Sequence, residues 1–163
     1  MVKQWEIRAW TPDDQDQVID MIVGIQRDEF GISITKEDQP ELKAVDEVYQ
    51  KDDGNFWVAV ANDGIVGSIG LVNFAPASFA LRKMFVAKEF RGSGLAQDLL
   101  DTALGWCRNK KSSDVYLGTI EVFTAAHRFY EKNGFARIDA DELPESFPRM
   151  KVDNIFYHLN KIN

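Results

Sequence analysis

Apolar positions along the chain change period several times, and each change marks an element. Trp5-Glu6-Ile7-Arg8-Ala9-Trp10 alternates as an opening strand does, and Thr11-Pro12-Asp13-Asp14 then predicts a helix start with Thr11 as N-cap and Pro12 at the first helical position. Val18, Ile19, Ile22, Val23 and Gln26 carry the helical stripe onward. The stretch from Asp28 to Asn55 is more polar. In it Phe30, Ile32 and Ile34 alternate before a second helix expected from about Glu37 to Gln50, packed through Leu42, Val45, Val48 and Tyr49. Two apolar runs, Phe56–Ala61 and Ile65–Val72, flank Asn62-Asp63-Gly64 and predict an antiparallel hairpin. A third strand from near Ser78 to Val86 completes a meander.

Leu95, Leu99, Leu100, Ala103, Leu104 and Cys107 fall on one face of a helix ending near Arg108. After the polar loop Asn109–Asp114, Val115–Thr119 reads as a short buried strand, which a right-handed crossover lays parallel to the third strand. Phe123–Phe135 has helical spacing with Gly134 placed to cap it. Ala136–Asp139 is a further strand. Pro144 and Pro148 stiffen the irregular loop Leu143–Met150, and Asp153–Leu159 is the last strand. The order predicts one α+β (mixed α/β) domain over residues 1–163, in which an antiparallel meander meets one parallel pair.

Candidate chemistry begins at Phe90-Arg91-Gly92-Ser93-Gly94-Leu95-Ala96-Gln97, between the third strand and the helix. Gly92 and Gly94 allow a tight curl and a close backbone approach. Free N–H groups and the positive end of the helix dipole then make an anion site, and Arg91 adds a cation that grips phosphate bidentately. No lysine follows Gly94 as a Walker A loop requires, and Gln97 stands where a dinucleotide fingerprint needs its third glycine.

A net charge of −7 and a pI near 4.8 argue against non-specific nucleic-acid binding and leave room for a cationic acceptor. No apolar run approaches the roughly 20 residues that span a bilayer, and the first residues lack a signal peptide's apolar core. The expectation is therefore a cytoplasmic protein without a membrane partner. The single Cys107 lies on the apolar helix face and is read as a buried structural residue. No His, Cys or acidic cluster has metal-ligand spacing, so no metal is expected, and no nucleophile motif points to a covalent intermediate.

Arg91-Gly92-Ser93-Gly94-Leu95-Ala96 resembles the Arg/Gln-x-x-Gly-x-Gly/Ala signature of the GCN5-related N-acetyltransferase (GNAT) superfamily. Ala126, Phe129, Tyr130, Gly134 and Phe135 resemble its second signature, Ala-x-x-Phe/Leu-Tyr-x-x-x-Gly-Phe, so the two motifs together span about Phe79 to Phe135. The resemblance implies the acyl-CoA N-acyltransferase fold, with a central sheet of about six to seven mostly antiparallel strands, helices on both faces and one splayed parallel pair. It implies acetyl-coenzyme A as cosubstrate, held by Met84, Phe85, Val86, Arg91, Gly92, Ser93, Gly94, Leu95, Ala96 and Tyr130. The first helical region and the late loop would then wall the acceptor, with Glu29, Phe30, Ile32, Phe147, Arg149 and Met150 as substrate contacts. One departure is Phe123, which stands where the family often has asparagine and removes a polar contact to the pantetheine arm.

Acetyl transfer needs a neutral amine beside the thioester and a proton for the departing thiolate. The match to the family tyrosine makes Tyr130 the proton donor, since a phenol with a reference pKa near ~10 stays protonated at neutral pH. Glu121 is the first candidate base, with Glu29 and His127 behind it, while His158 is read as structural. The expected activity is direct acetyl transfer to a primary amine of a small molecule or peptide. The alternatives are a non-catalytic acyl-CoA sensor on the same fold and a nucleotide-phosphate protein of another fold. The aromatic-rich last strand is a candidate for pairing across a homodimer.

Overall fold

Strand β2, Asn55–Ala61, alternates its side chains between two cores. In the computed structural model, which describes residues 4–160, Trp57 and Ala59 meet Leu95, Leu99, Leu100, Ala103 and Cys107 of helix α3, Leu95–Asn109. On the opposite face Phe56 and Val58 meet Val18, Ile19 and Ile22 of α1, Gln15–Gly24, together with Leu42, Val45 and Tyr49. The sheet is therefore covered on both sides, as an apolar strand buried on both faces requires. Its seven strands add β1 (Glu6–Ala9), β3 (Gly64–Ala75), β4 (Ser78–Val86), β5 (Asp114–Thr119), β6 (Ala136–Ile138) and β7 (Ile155–Asn160), in the order β1-β2-β3-β4-β5-β7-β6. Every neighbouring pair is antiparallel except β4–β5. This is the expected mixed architecture with one parallel pair.

The hairpin turn sits at Asn62 and Asp63, whose φ values of 50° and 66° match the type I′ geometry that suits twisted strands. Helix α4, Thr124–Lys132, ends at Gly134 with φ 91°, the left-handed cap expected there. Gly134→Ala should keep the fold and cost about 1 kcal/mol, read as a lower midpoint in urea, because a Cβ is strained at that φ.

Between α1 and β2 the structure corrects the sequence-based expectations. Phe30, Ile32 and Ile34, which alternate in the sequence, lie at and after the end of a π-helical turn. Helix α1 runs into this turn, Ile25–Glu29, and an irregular segment follows. The single helix expected over 37–50 is broken into 3-10 turns at Lys36–Asp38 and Pro40–Lys43 and a short α2, Val45–Val48. Pro40 has no N–H to continue a helix and pushes Gln39 to φ −129° and ψ 59°, and Ala44 breaks the path again at φ −143°. The packing face survives, with Leu42, Val45 and Tyr49 buried.

The last strand is not at a sheet edge. β7 pairs with β5 along Ile155–Asn160 and with β6 along Phe156–His158, so its backbone is taken on both sides there and cannot join a second copy in the way the sequence suggested. No helix among the described residues is long and apolar enough to cross a membrane.

Candidate active site

The parallel pairing of β4 with β5 runs only from Ser78↔Asp114 to Leu81↔Leu117, although β4 continues to Val86 and β5 to Thr119. Beyond Leu81 and Leu117 the two strands offer each other no ladder. A bulge forces the divergence. Ser68 pairs with Phe85 and Gly70 with Arg82, so Lys83 and Met84 together oppose Ile69. Lys83 takes φ 57° at this bulge, and Ser68 Oγ donates to its carbonyl at 2.7 Å. An open cleft of about 280 Å³ results, lined by residues 81–86 of β4, by 118–120 and 122–126, and by Arg91, Tyr130 and Asp153.

One end of the cleft is the glycine turn. Gly92 and Gly94 have φ 76° and 95°, and a Cβ on either would meet open space, so glycine is required there by conformation. Gly94 leads directly into α3, whose first-turn N–H groups have no acceptor within the helix. Arg91 is held in place by its Nε, which donates to the Val86 carbonyl at 3.0 Å. Its two Nη groups donate to both carboxylate oxygens of Glu29 at 2.6 and 2.9 Å. The π turn thus brings Glu29 onto the cradle arginine.

The other end is Tyr130. It is buried among Phe129, Phe135 and Tyr157, and its hydroxyl lies 3.9 Å from Met84 Sδ in the bulge. Burial, with the nearby Asp153 and Tyr157, holds the phenol well above its ordinary pKa, so it is fully protonated at neutral pH.

A buried polar network forms the wall opposite. Gln26 and Gln39 exchange amide hydrogen bonds at 3.1 and 2.9 Å, and Lys83 Nζ donates to Gln39. Lys83 and Arg82 lie 3.1 and 3.4 Å from Glu41, which the Pro40–Lys43 turn delivers. Burial lowers the Lys83 ammonium pKa and Glu41 opposes the shift. Asp153 lines the same cleft. The loop before β7 is tied to the end of β5, since Asn154 N–H donates to the Thr119 carbonyl at 2.9 Å and Glu121 N–H to Asn154 Oδ1 at 3.1 Å. Asp153 packs over Gly118 so closely that a Cβ there would lie 2.5 Å from its Oδ2. Its carboxylate has no hydrogen bond or salt bridge among the described residues. Burial pushes its pKa up to about 6, against the pull of Arg82, Lys83 and Arg149.

Of the residues singled out in the sequence, Met84, Phe85, Val86, Arg91 and Tyr130 share this cleft, and so do Phe30 and Met150. Ile32, Phe147 and Arg149 lie outside the lining. Phe147 packs edge-on against Phe74 and Tyr116, and Arg149 covers the Phe156 ring at 4.8 Å. Glu121 is exposed and also outside the lining, although its neighbours Ile120 and Val122 belong to it. His127 binds the Ile120 carbonyl at 3.0 Å, and His158 stacks on Tyr116 while bonded to Asp114. Phe123 meets Phe30 and Phe85 edge-on at 4.7 and 6.2 Å, an aromatic wall where the asparagine would stand. Cys107 is fully buried and its thiol is pushed up to about 12. The carboxylates of Asp139, Asp141 and Glu142 lie within 4.8 Å of one another on the surface, a grouping that spacing alone did not reveal; Glu142 there caps the Asp139 N–H at 3.0 Å.

The family model of the acetyltransferase (GNAT) domain matches residues 52–137, which hold the meander, the cradle, α3, β5 and α4. The chain belongs to the GNAT acetyltransferase family. A GNAT-family acetyltransferase of Staphylococcus aureus Mu50 is 39% identical and superposes with a TM-score of 0.93, covering 96% of this chain and 98% of that one. An acetyltransferase of Streptococcus agalactiae is 28% identical, with a TM-score of 0.92 over 98% and 100% of the two chains. The N-acetylaspartate synthetase of Danio rerio is 32% identical over 124 residues, 73% of this chain but 44% of that protein. The GNAT chain thus spans less than half the length of that curated relative. Lys83 and Asp153, absent from the sequence-based site, also line the cleft, and Glu41 is paired with Lys83; the adjacent cations Arg82 and Lys83 inside an otherwise apolar strand were the one visible signal.

Proposed function

We propose that this chain is an N-acetyltransferase that carries acetyl directly from acetyl-coenzyme A to a primary amine. One observation carries the reading: Arg91 of the glycine turn and the protonated hydroxyl of Tyr130 line a single cleft opened by the β4 bulge. The turn and Arg91 would hold the pyrophosphate, and the unpaired stretch of β4 would hold the amide-rich arm. The curated relatives named N-acetylaspartate synthetase support an amine acceptor.

The chemistry then follows from the groups present. Asp153 takes one proton from the acceptor ammonium. The neutral nitrogen attacks the thioester carbonyl, forming the C–N bond as the C–S bond breaks. Tyr130 gives its proton to the leaving thiolate and recovers one from the acylated nitrogen. Asp153 returns the first proton to water, so the sum is one amide, one thiol and one released proton. The exposed Glu121 has no part in this scheme. A cytoplasmic location belongs to the same reading.

Stabilisation of the folded protein by acetyl-coenzyme A, with thiol release over an amine panel, is the expected result. Stabilisation without thiol release from any acceptor would mark a sensor instead. Arg91→Ala should raise the KM for acetyl-coenzyme A about tenfold, the loss of one charge-assisted contact. Glu29→Gln should lower it severalfold, up to about fivefold. It removes the anion that competes with phosphate for the two Nη groups while Val86 still anchors Nε.

A further inference from the structure

Two cations on β4 and a carboxylate from the loop before β7 line one cleft and make a site matched to a zwitterion. Arg82 and Lys83 project from the bulged part of β4, and Glu41 is the one carboxylate within salt-bridge distance of either among the described residues. Glu41 neutralises one of these two charges. The pair is also short of acceptors, because Arg82 Nε is buried without a hydrogen-bond partner. The remaining Arg82 contacts are Met150 Sδ and the face of the Tyr49 ring, neither of which carries charge. Asp153 lines the same cleft, packed over Gly118 beside the Asn154 tether, and its carboxylate has no hydrogen bond or salt bridge among the described residues, although Arg82 and Lys83 attract it. Burying charge in this way is costly unless a ligand completes the pairing.

We infer that the acceptor is an amino acid, its α-carboxylate received by Arg82 and Lys83 and its ammonium by Asp153. This rests on the acetyltransferase reading above. The carboxylate then lies against β4 and the amine beside Asp153. Asp153 and Tyr130 line the same cleft, so a nitrogen held by Asp153 shares it with the proton donor. A polyamine would bring a second cation against Arg82 and Lys83, and an amide would leave their surplus charge unanswered.

The test compares kcat/KM of the wild-type chain for L-aspartate and L-alanine with that for their α-amides and for spermidine. The acids should exceed the amides at least about thirtyfold, the scale of leaving a buried charge unpaired. Arg82→Gln should shrink that ratio to a few-fold while leaving stabilisation by acetyl-coenzyme A unchanged. If that variant does not fold, the wild-type ratio alone decides. Amides or spermidine serving as well as the acids would overturn this inference and leave the acetyltransferase reading standing. No stabilisation by acetyl-coenzyme A and no thiol release with any probe would overturn both.

Discussion

Replacing Tyr130 with phenylalanine should lower kcat about a hundred- to a thousandfold, the usual contribution of a positioned acid, with little change in KM for acetyl-coenzyme A. The ring keeps its packing against Phe129, Phe135 and Tyr157, so the fold and the cleft wall persist. What disappears is the hydroxyl proton beside Met84. Burial suits the phenol to this task in a specific way. It removes the competing phenolate, so the group is protonated at neutral pH, as the proposed acid must be. Steady-state kinetics with cofactor and acceptor varied separately would check the split. An unchanged kcat would reduce Tyr130 to a packing residue.

Asp153→Asn should remove an acid limb from the pH profile. With its carboxyl pKa pushed up to about 6, Asp153 is protonated below that pH and cannot take the ammonium proton. Wild-type kcat/KM should therefore fall about tenfold per pH unit below about 6 and hold a plateau above it. The asparagine variant can use only acceptor that is already neutral. Its rate should climb steadily toward the acceptor's own pKa, and it should lie about a hundredfold below wild type at neutral pH. Arg82, Lys83 and Arg149 face this carboxylate and lower its pKa, so the limb reports the balance of their attraction against burial. Stability should move oppositely. A folded pKa above the unfolded value means that ionising Asp153 opposes folding as pH rises from about 4 through 6. The ligand-free asparagine variant should consequently melt higher than wild type above pH 6.

Much of the fold was legible because its signals are local. The period-two runs around Asn62-Asp63, the helical stripe from Leu95 to Cys107 and the capping position of Gly134 each depend on residues within a few places of one another. Segment 25–50 was not legible in the same way. Its apolar positions fit a helix, but Pro40 breaks the backbone that the pattern presumes, and tertiary burial of Leu42, Val45 and Tyr49 holds the fragments in place. Glu121 shows the converse: its neighbours Ile120 and Val122 line the cleft, while Glu121 itself is exposed and outside the lining.

By itself the sequence determined the cradle, the helix that follows it and the tyrosine, since glycine at positive φ, a helix start and a packed aromatic are specified by neighbouring residues. Only the tertiary structure decided what stands opposite them. Glu41 reaches Arg82 across 41 residues of chain, Lys83 turns at a bulge that exists only when β3 and β4 pair, and Asp153 is positioned by a tether to β5. Charges brought together over such distances leave no periodic trace, because pairing and burial, rather than local conformation, set their places.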